Sequence, residues 1–206
     1  MKNIRETVME LCQKSDFDIY MGMLDRDISA HRLDRTKQAE IVNKSMETAS
    51  DIYNDLVAKY GLLTPIKYAI KLDVPVIYLN DKPTKYYTYL GLFEEKNKTI
   101  TLNLETMKFI RELIVEFNLS DLVDASSLQS CVTAHELFHY FELVRPSLYT
   151  NQKIIEAKFL GIFKTRSQLL VAGEVAAMHF AKLLTSLKHT PLVYDKIFVL
   201  GKKQIL

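Results

Sequence analysis

Apolar side chains in this chain follow two rhythms, and the change between them divides it into segments. From Leu33, the stretch LDRTKQAEIVNKSMETASDIYNDLVAKYG sets Ile41, Met46, Ala49, Ile52, Leu56 and Val57 mostly at three- and four-residue steps. That is the spacing of one helical face, and Gly61 stands where the helix would end. Pro65 restarts the chain, and IKYAIKL reads as a short helix. VPVIYLND, residues 74–81, is β-branched and bounded by Asp and Pro, which predicts a strand. Residues 85–103 predict a hairpin turning at Glu95 to Lys98. In its second arm Ile100 and Leu102 alternate with Thr99, Thr101 and Asn103, so one face would be buried and the other open. After Asn103 the pattern is helical almost to Leu187. Residues 1 to about 30 form a polar, mildly amphipathic leader that also reads as helical, and the closing GKKQIL reads as a solvated tail. The fold class expected is α+β, with helices packed on a small, mostly antiparallel sheet.

A chain of 206 residues suffices for one well-packed domain, or a domain with a helical extension. A formal net charge of +2 argues against general attraction to nucleic acid or an anionic membrane. The N-terminus breaks its apolar residues with charges and has no signal-peptide core, and no apolar run approaches a membrane span. The two cysteines, Cys12 and Cys131, make no disulfide framework, which suits a reducing compartment. A cytoplasmic protein is expected. Cys131 lies one turn before a histidine and reads as a small buried hydrophobe.

The chemistry concentrates in SCVTAHELFHYFELVRP, residues 130–146. A start signal at Asp124 to Ser127 and a stop at Pro146 predict one helix ending near Val144. His135 and His139 are one turn apart on it, so both imidazoles project from one face and can supply half of a tetrahedral zinc site. Glu136 is rotated about 100° from His135, beside the ligand face, where a general base acting on metal-activated water belongs. With five histidines, chance alone yields this pattern in roughly one such chain in a hundred. Between Val132 and Val144, however, only Glu136 and Glu142 are charged, so the helix is largely buried. Two histidines and a glutamate there need partners, and a metal satisfies them together.

A third ligand is expected from TRSQLLVAGEVAAMHFAKLL, residues 165–184. Thr165 and Gln168 have capping-box spacing, and an apolar helix follows. Glu174 shares its face with Leu170, Val171, Ala177, Met178 and Ala181, and a lone carboxylate on such a stripe is costly unless it ligates. Glu142, one turn beyond His139, is the rival ligand, though its place near the helix end favours a solvated glutamate. His179 lies well round from Glu174 and reads as a structural or outer-sphere group.

These features resemble the ImmA/IrrE family of cytoplasmic bacterial metallopeptidases, which are gluzincins, over roughly residues 47–187. The likeness is carried by ASDIYNDLVAKYGLLTPIKYAIKLDVPVIY, by Gly91 and TITLN, by AHELFHYFE, and by EVAAMHFAKLL. The last is similar to the family's E-x-x-A-N-x-F-A helix, with Glu174, Ala177, Phe180 and Ala181 in register. Met178 stands at the family's asparagine, Phe138 at a glycine usual in the motif, and no proline follows Leu183 and Leu184 at Thr185 or Ser186.

The resemblance implies a zincin-like metallopeptidase domain over residues 36–206, behind a helical extension of unknown role at 1–35. It implies one Zn²⁺ per chain on His135, His139 and Glu174, Glu136 as catalytic base, and a protein or peptide substrate such as a transcriptional regulator. Tyr140, Tyr149 and His179 are candidates for stabilising the transition state or supporting the metal shell. Thr99, Thr101 and Asn103 mark a strand whose open edge would pair with extended substrate. The alternatives are a non-catalytic metal-binding sensor or interaction protein of the same fold, and a helical binding module with no metal.

Overall fold

The helix boundaries follow from local hydrogen bonding. The chain is described by a computed structural model over residues 3–82, 88–152, 155–159 and 163–205. Helix α1 (Ile4–Gln13) opens with a capping box between Asn3 and Glu6, and α2 (Asp16–Arg26) with Ser15 accepting from the Asp18 N–H. Asp34 caps α3 (Arg35–Tyr60), which ends where Gly61 takes φ +73°. Pro65 occupies the first turn of α4 (Pro65–Lys71), where a missing N–H costs nothing. The leader is therefore helical as expected. It also packs into the body: Ile4 and Val8 are buried in the main core, and α2 adds Tyr20 and Leu24 to a second cluster with Ile41 and Val42 of α3.

Strands β1 (Val76–Leu79), β2 (Gly91–Glu94) and β3 (Thr99–Asn103) form one sheet in the order β1-β3-β2. The hairpin turn falls at Glu95 to Lys98 as expected, while the first residues of its expected arm, 85–87, lie outside the described residues. Two expectations fail here. The sheet is mixed, because β1 joins β3 in parallel while β2 pairs antiparallel. Consequently β3 is central, and Thr99, Thr101 and Asn103 do not form an open edge. A hairpin leaves one side of each arm free, and only the non-local arrival of β1 settles which side is filled. Thr99 and Asn103 are buried, and the Asn103 side chain caps α5 (Leu104–Glu116) by accepting from the Glu105 and Thr106 N–H groups.

Helix α6 (Leu128–Val144) carries the two histidines and has the expected bounds. The continuous helix expected beyond it is interrupted by a second hairpin, β4 (Ile155–Phe159) with β5 (Phe163–Ser167). Its sequence, IEAKF and FKTRS, alternates with period two, a rhythm masked by the helical runs on either side. Thr165 thus lies in β5, and α7 (Leu170–Thr185) begins after Leu169 without a side-chain cap. The chain is helical again in α8 (Leu192–Ile205), which buries Val193, Tyr194 and Ile197 and takes in residues 201–205 of the expected tail.

Helix α6 packs against α7 through Phe138 and Phe141, whose rings lie 5.8 and 6.1 Å from that of Phe180. Buried Ala172, Ala176, Ala177 and Ala181 let α7 approach its neighbours closely. That packing brings Glu174 opposite the histidines. No helix among the described residues is long and apolar enough to cross a membrane.

Candidate metal centre

His135 and His139 present their Nε2 atoms to the same point, 3.3 Å apart. Glu174, from α7, reaches that point with Oε2 3.4 Å from His135 and Oε1 3.7 Å from His139. One ligand atom from each of the three lies within 4.8 Å of the others, so the group could hold a metal ion. The histidine side chains are 15% and 23% exposed, but that of Glu174 is 47% exposed, because its carboxylate leaves the apolar face of α7 and enters an open cleft. Electrostatics favour a cation at this point. Burial opposes charging of His135, yet the hydrogen bond and charge of Glu174, with Glu136 and Asp195 nearby, lift the imidazole to about 9. Burial, the largest single influence, would raise Glu174, but the hydrogen bond to His135 and the charges of His135 and His139 together hold the carboxyl below its usual range.

Glu136 sits beside this group and is only 8% exposed. Burial raises its carboxyl above the usual carboxylate range, against the pull of both histidines. The backbone of Phe93 favours the charged form as well, and β2 lies against the carboxylate. Gly91 makes that approach possible. A Cβ at residue 91 would come within 2.5 Å of Val132 Cγ1 and 2.8 Å of Glu136 Cγ and Oε1.

Glu142 corrects an expectation. It is not solvated: its side chain is 14% exposed and accepts a hydrogen bond of 2.7 Å from His139 Nδ1. A carboxylate only accepts, so the proton belongs on Nδ1, and the Nε2 lone pair faces Glu174 and His135. Gly173 of α7 leaves the room, since a Cβ there would lie 2.7 Å from Glu142 Oε1. The i+3 spacing after His139 was the signal for this role.

The structure does not bring Tyr140, Tyr149 or His179 to the cluster, and none lines the cavities around it. Tyr140 packs edge-on against Phe93 at 6.2 Å. Tyr149 lies beneath Lys44, its hydroxyl pushed up to about 12 by burial and by Glu40. His179 packs edge-on against Tyr20, and burial depresses its basicity. Cys131 is buried as expected and its thiol is raised by burial, yet it lines the cleft wall beside His135.

Two cavities meet at Gly91, His135, Glu136 and Glu174: one of about 780 Å³ towards Glu142 and Pro146, and one of about 280 Å³ towards α8. The smaller contains a carboxylate that the sequence reading missed, Asp195, which burial raises to about 6. Its signal was an acid inside the apolar run TPLVYDKIFVL. Comparison with known proteins finds no matching family model, no matching curated protein and no matching solved structure.

Proposed function

We propose that this chain is a zinc-dependent peptidase of zincin-like fold, hydrolysing a peptide bond in a protein substrate such as a transcriptional regulator. The observation that carries the reading is a buried glutamate, Glu136, placed beside a His135–His139–Glu174 cluster and under the outer strand of a sheet. The resemblance to ImmA/IrrE metallopeptidases supports it through the same four residues.

The donor set fits zinc. Nitrogen and oxygen ligands held about 2.0–2.1 Å from a tetrahedral ion lie about 3.4 Å from one another. Here the two Nε2 atoms are 3.3 Å apart, with Glu174 Oε2 3.4 Å from one and Glu174 Oε1 3.7 Å from the other. When bound, zinc supplies Lewis acidity, which polarises a carbonyl and makes water acidic near neutral pH. Glu136 accepts a proton from the water whose oxygen attacks the scissile carbonyl carbon. As the carbon–nitrogen bond breaks, Glu136 returns that proton to the leaving amine. Its raised pKa suits both halves of the transfer.

The substrate's backbone pairs with β2, not β3. Asn103 N–H donates to the Leu90 carbonyl at 2.9 Å, so hydrogen-bonded pairs alternate from there. By that alternation Leu92 turns its backbone groups to β3, and Gly91 and Phe93 turn theirs outward. The Phe93 N–H meets Glu136, which leaves the Gly91 groups and the Phe93 carbonyl for an added strand.

The test is metal analysis and proteolysis on protein purified without a histidine tag. Wild type should hold one zinc per chain and cut members of a complex peptide mixture. Glu136→Gln should keep the zinc and lose hydrolysis by about 10²–10⁴-fold. Stoichiometric zinc with no hydrolysis by wild type would favour the sensor reading, and absence of metal after zinc reconstitution would refute both.

A further inference from the structure

The smaller cavity has a composition that the proposed chemistry leaves unused. Its walls are apolar, with Leu90, Val132, Met178, Tyr194 and Phe198 among them, and the Tyr194 hydroxyl is already engaged, donating to the Asp124 carbonyl at 2.6 Å. Three carboxylates border it: Glu136, Glu174 and Asp195. Two of these belong to the metal group and its base, whereas Asp195, on α8, has no part in either. Among the described residues no lysine or arginine lines the cavity, and no ion pair joins Asp195 to one. The groove on the far side of Asp195, between α1, α2 and α8, does carry Lys14, Arg26 and Lys196, yet none of them pairs with it. Asp195 is partly accessible and lines this cavity as well as that groove.

At about 280 Å³ the space falls just below the range of small-molecule sites, and suits one long side chain. An apolar barrel ending in an unpaired carboxylate matches a long alkyl stem with a cationic end. A purely aliphatic side chain would desolvate Asp195 without compensation, and an acidic one would be repelled by three carboxylates.

Strand direction says which substrate residue enters. β2 runs from the smaller cavity, at Thr88 to Gly91, towards the larger one, at Leu92 to Glu95. A substrate strand added antiparallel to β2 runs the other way, so the chain beyond the scissile bond passes over the smaller cavity. The geometry points to a pocket for a lysine or arginine immediately after the scissile bond, with Asp195 receiving the cationic end. This specificity assignment rests on the peptidase reading above.

The experiment uses the zinc-loaded full chain and two readouts. The first is calorimetric binding of two peptide hydroxamates that differ only in a lysine or a norleucine next to the metal-binding group. Lysine should bind about tenfold more tightly. Asp195→Asn should erase most of that difference, with zinc still at one per chain. Met178→Lys, which puts a cation in the wall, should weaken the lysine compound most. Equal binding of the pair by wild type, or a lysine preference that survives both substitutions, overturns the assignment. The second readout is the cleavage profile of wild type on a randomised peptide mixture, where Lys and Arg should dominate the position after the cut. Peptides cut with no such preference would refute the pocket and leave the peptidase standing. Asp195-dependent lysine binding with no cleavage of any peptide would keep the pocket and refute the peptidase.

Discussion

Strands β2 and β3 are two arms of one hairpin, separated by a four-residue turn and matched residue for residue, yet the fold gives them opposite duties. β3 is flanked on both sides, with Ile100 and Leu102 wholly buried and both rows of its backbone groups committed. Among the described residues β2 pairs on one side only, and it lies against Glu136. The difference teaches that alternation identifies a strand and its inward face, whereas its place in the sheet depends on what comes to lie beside it. A substitution in β3 should therefore act on stability, and one in β2 on chemistry.

The sharpest way to break that contrast is Gly91→Val. A side chain at 91 collides with Val132 and displaces Glu136, so hydrolysis should fall by about 10²-fold or more, as for loss of a general base. Overpacking of about 1–3 kcal/mol should lower the melting temperature by only about 2–12 °C. Full activity would mean that β2 can withdraw from α6. The companion test is Thr101→Pro. It removes a ladder donor from the central strand and should cost about 3 kcal/mol or more, read as a lower midpoint in urea. A folded Thr101→Pro protein with unchanged midpoint would show that β3 is not held on both sides.

The same contrast separates the two histidines of α6. His139 has its far nitrogen held by Glu142, whereas among the described residues no carboxylate bonds the Nδ1 of His135. Glu142→Gln should weaken metal binding by about 10–100-fold while the fold survives, measured by competition with a chromophoric chelator. Unaltered affinity would reduce Glu142 to a packing residue. The smallest effect is protonic. Because His135 is raised to about 9, it is charged at pH 7.5 in metal-free protein and must lose its proton to bind a metal. Metal uptake at pH 7.5 should release about one proton from this group, and the release should decline as pH rises through 9. Calorimetry in buffers of different ionisation enthalpy reads it directly, and a release that does not change with pH would detach it from His135.

Much of the candidate metal centre was legible in the sequence because it depends on contacts within a few residues. The bounds of α6 follow from a start signal near Asp124 and from Pro146 beyond its end, and the one-turn separation of His135 and His139 follows from helical geometry. Glu174 stood out as an acid among apolar neighbours on α7. The role of Glu142 was misjudged, because nearness to a helix end suggests exposure only if nothing packs there, and Gly173 of α7 does.

Local sequence specifies the helices that carry His135, His139 and Glu174, the hairpin turn at Glu95 to Lys98, and the helix face on which each of the three lies. Capping, periodicity and turn chemistry act over one to four residues, so they are written wherever those residues stand. Only the tertiary structure puts β1 on the far side of β3, sets β2 at the sheet edge beside Glu136, and brings Asp195 of α8 to the cleft. Each of these is a pairing across tens of residues, chosen by which buried surfaces fit together, and no short stretch of chain contains both partners.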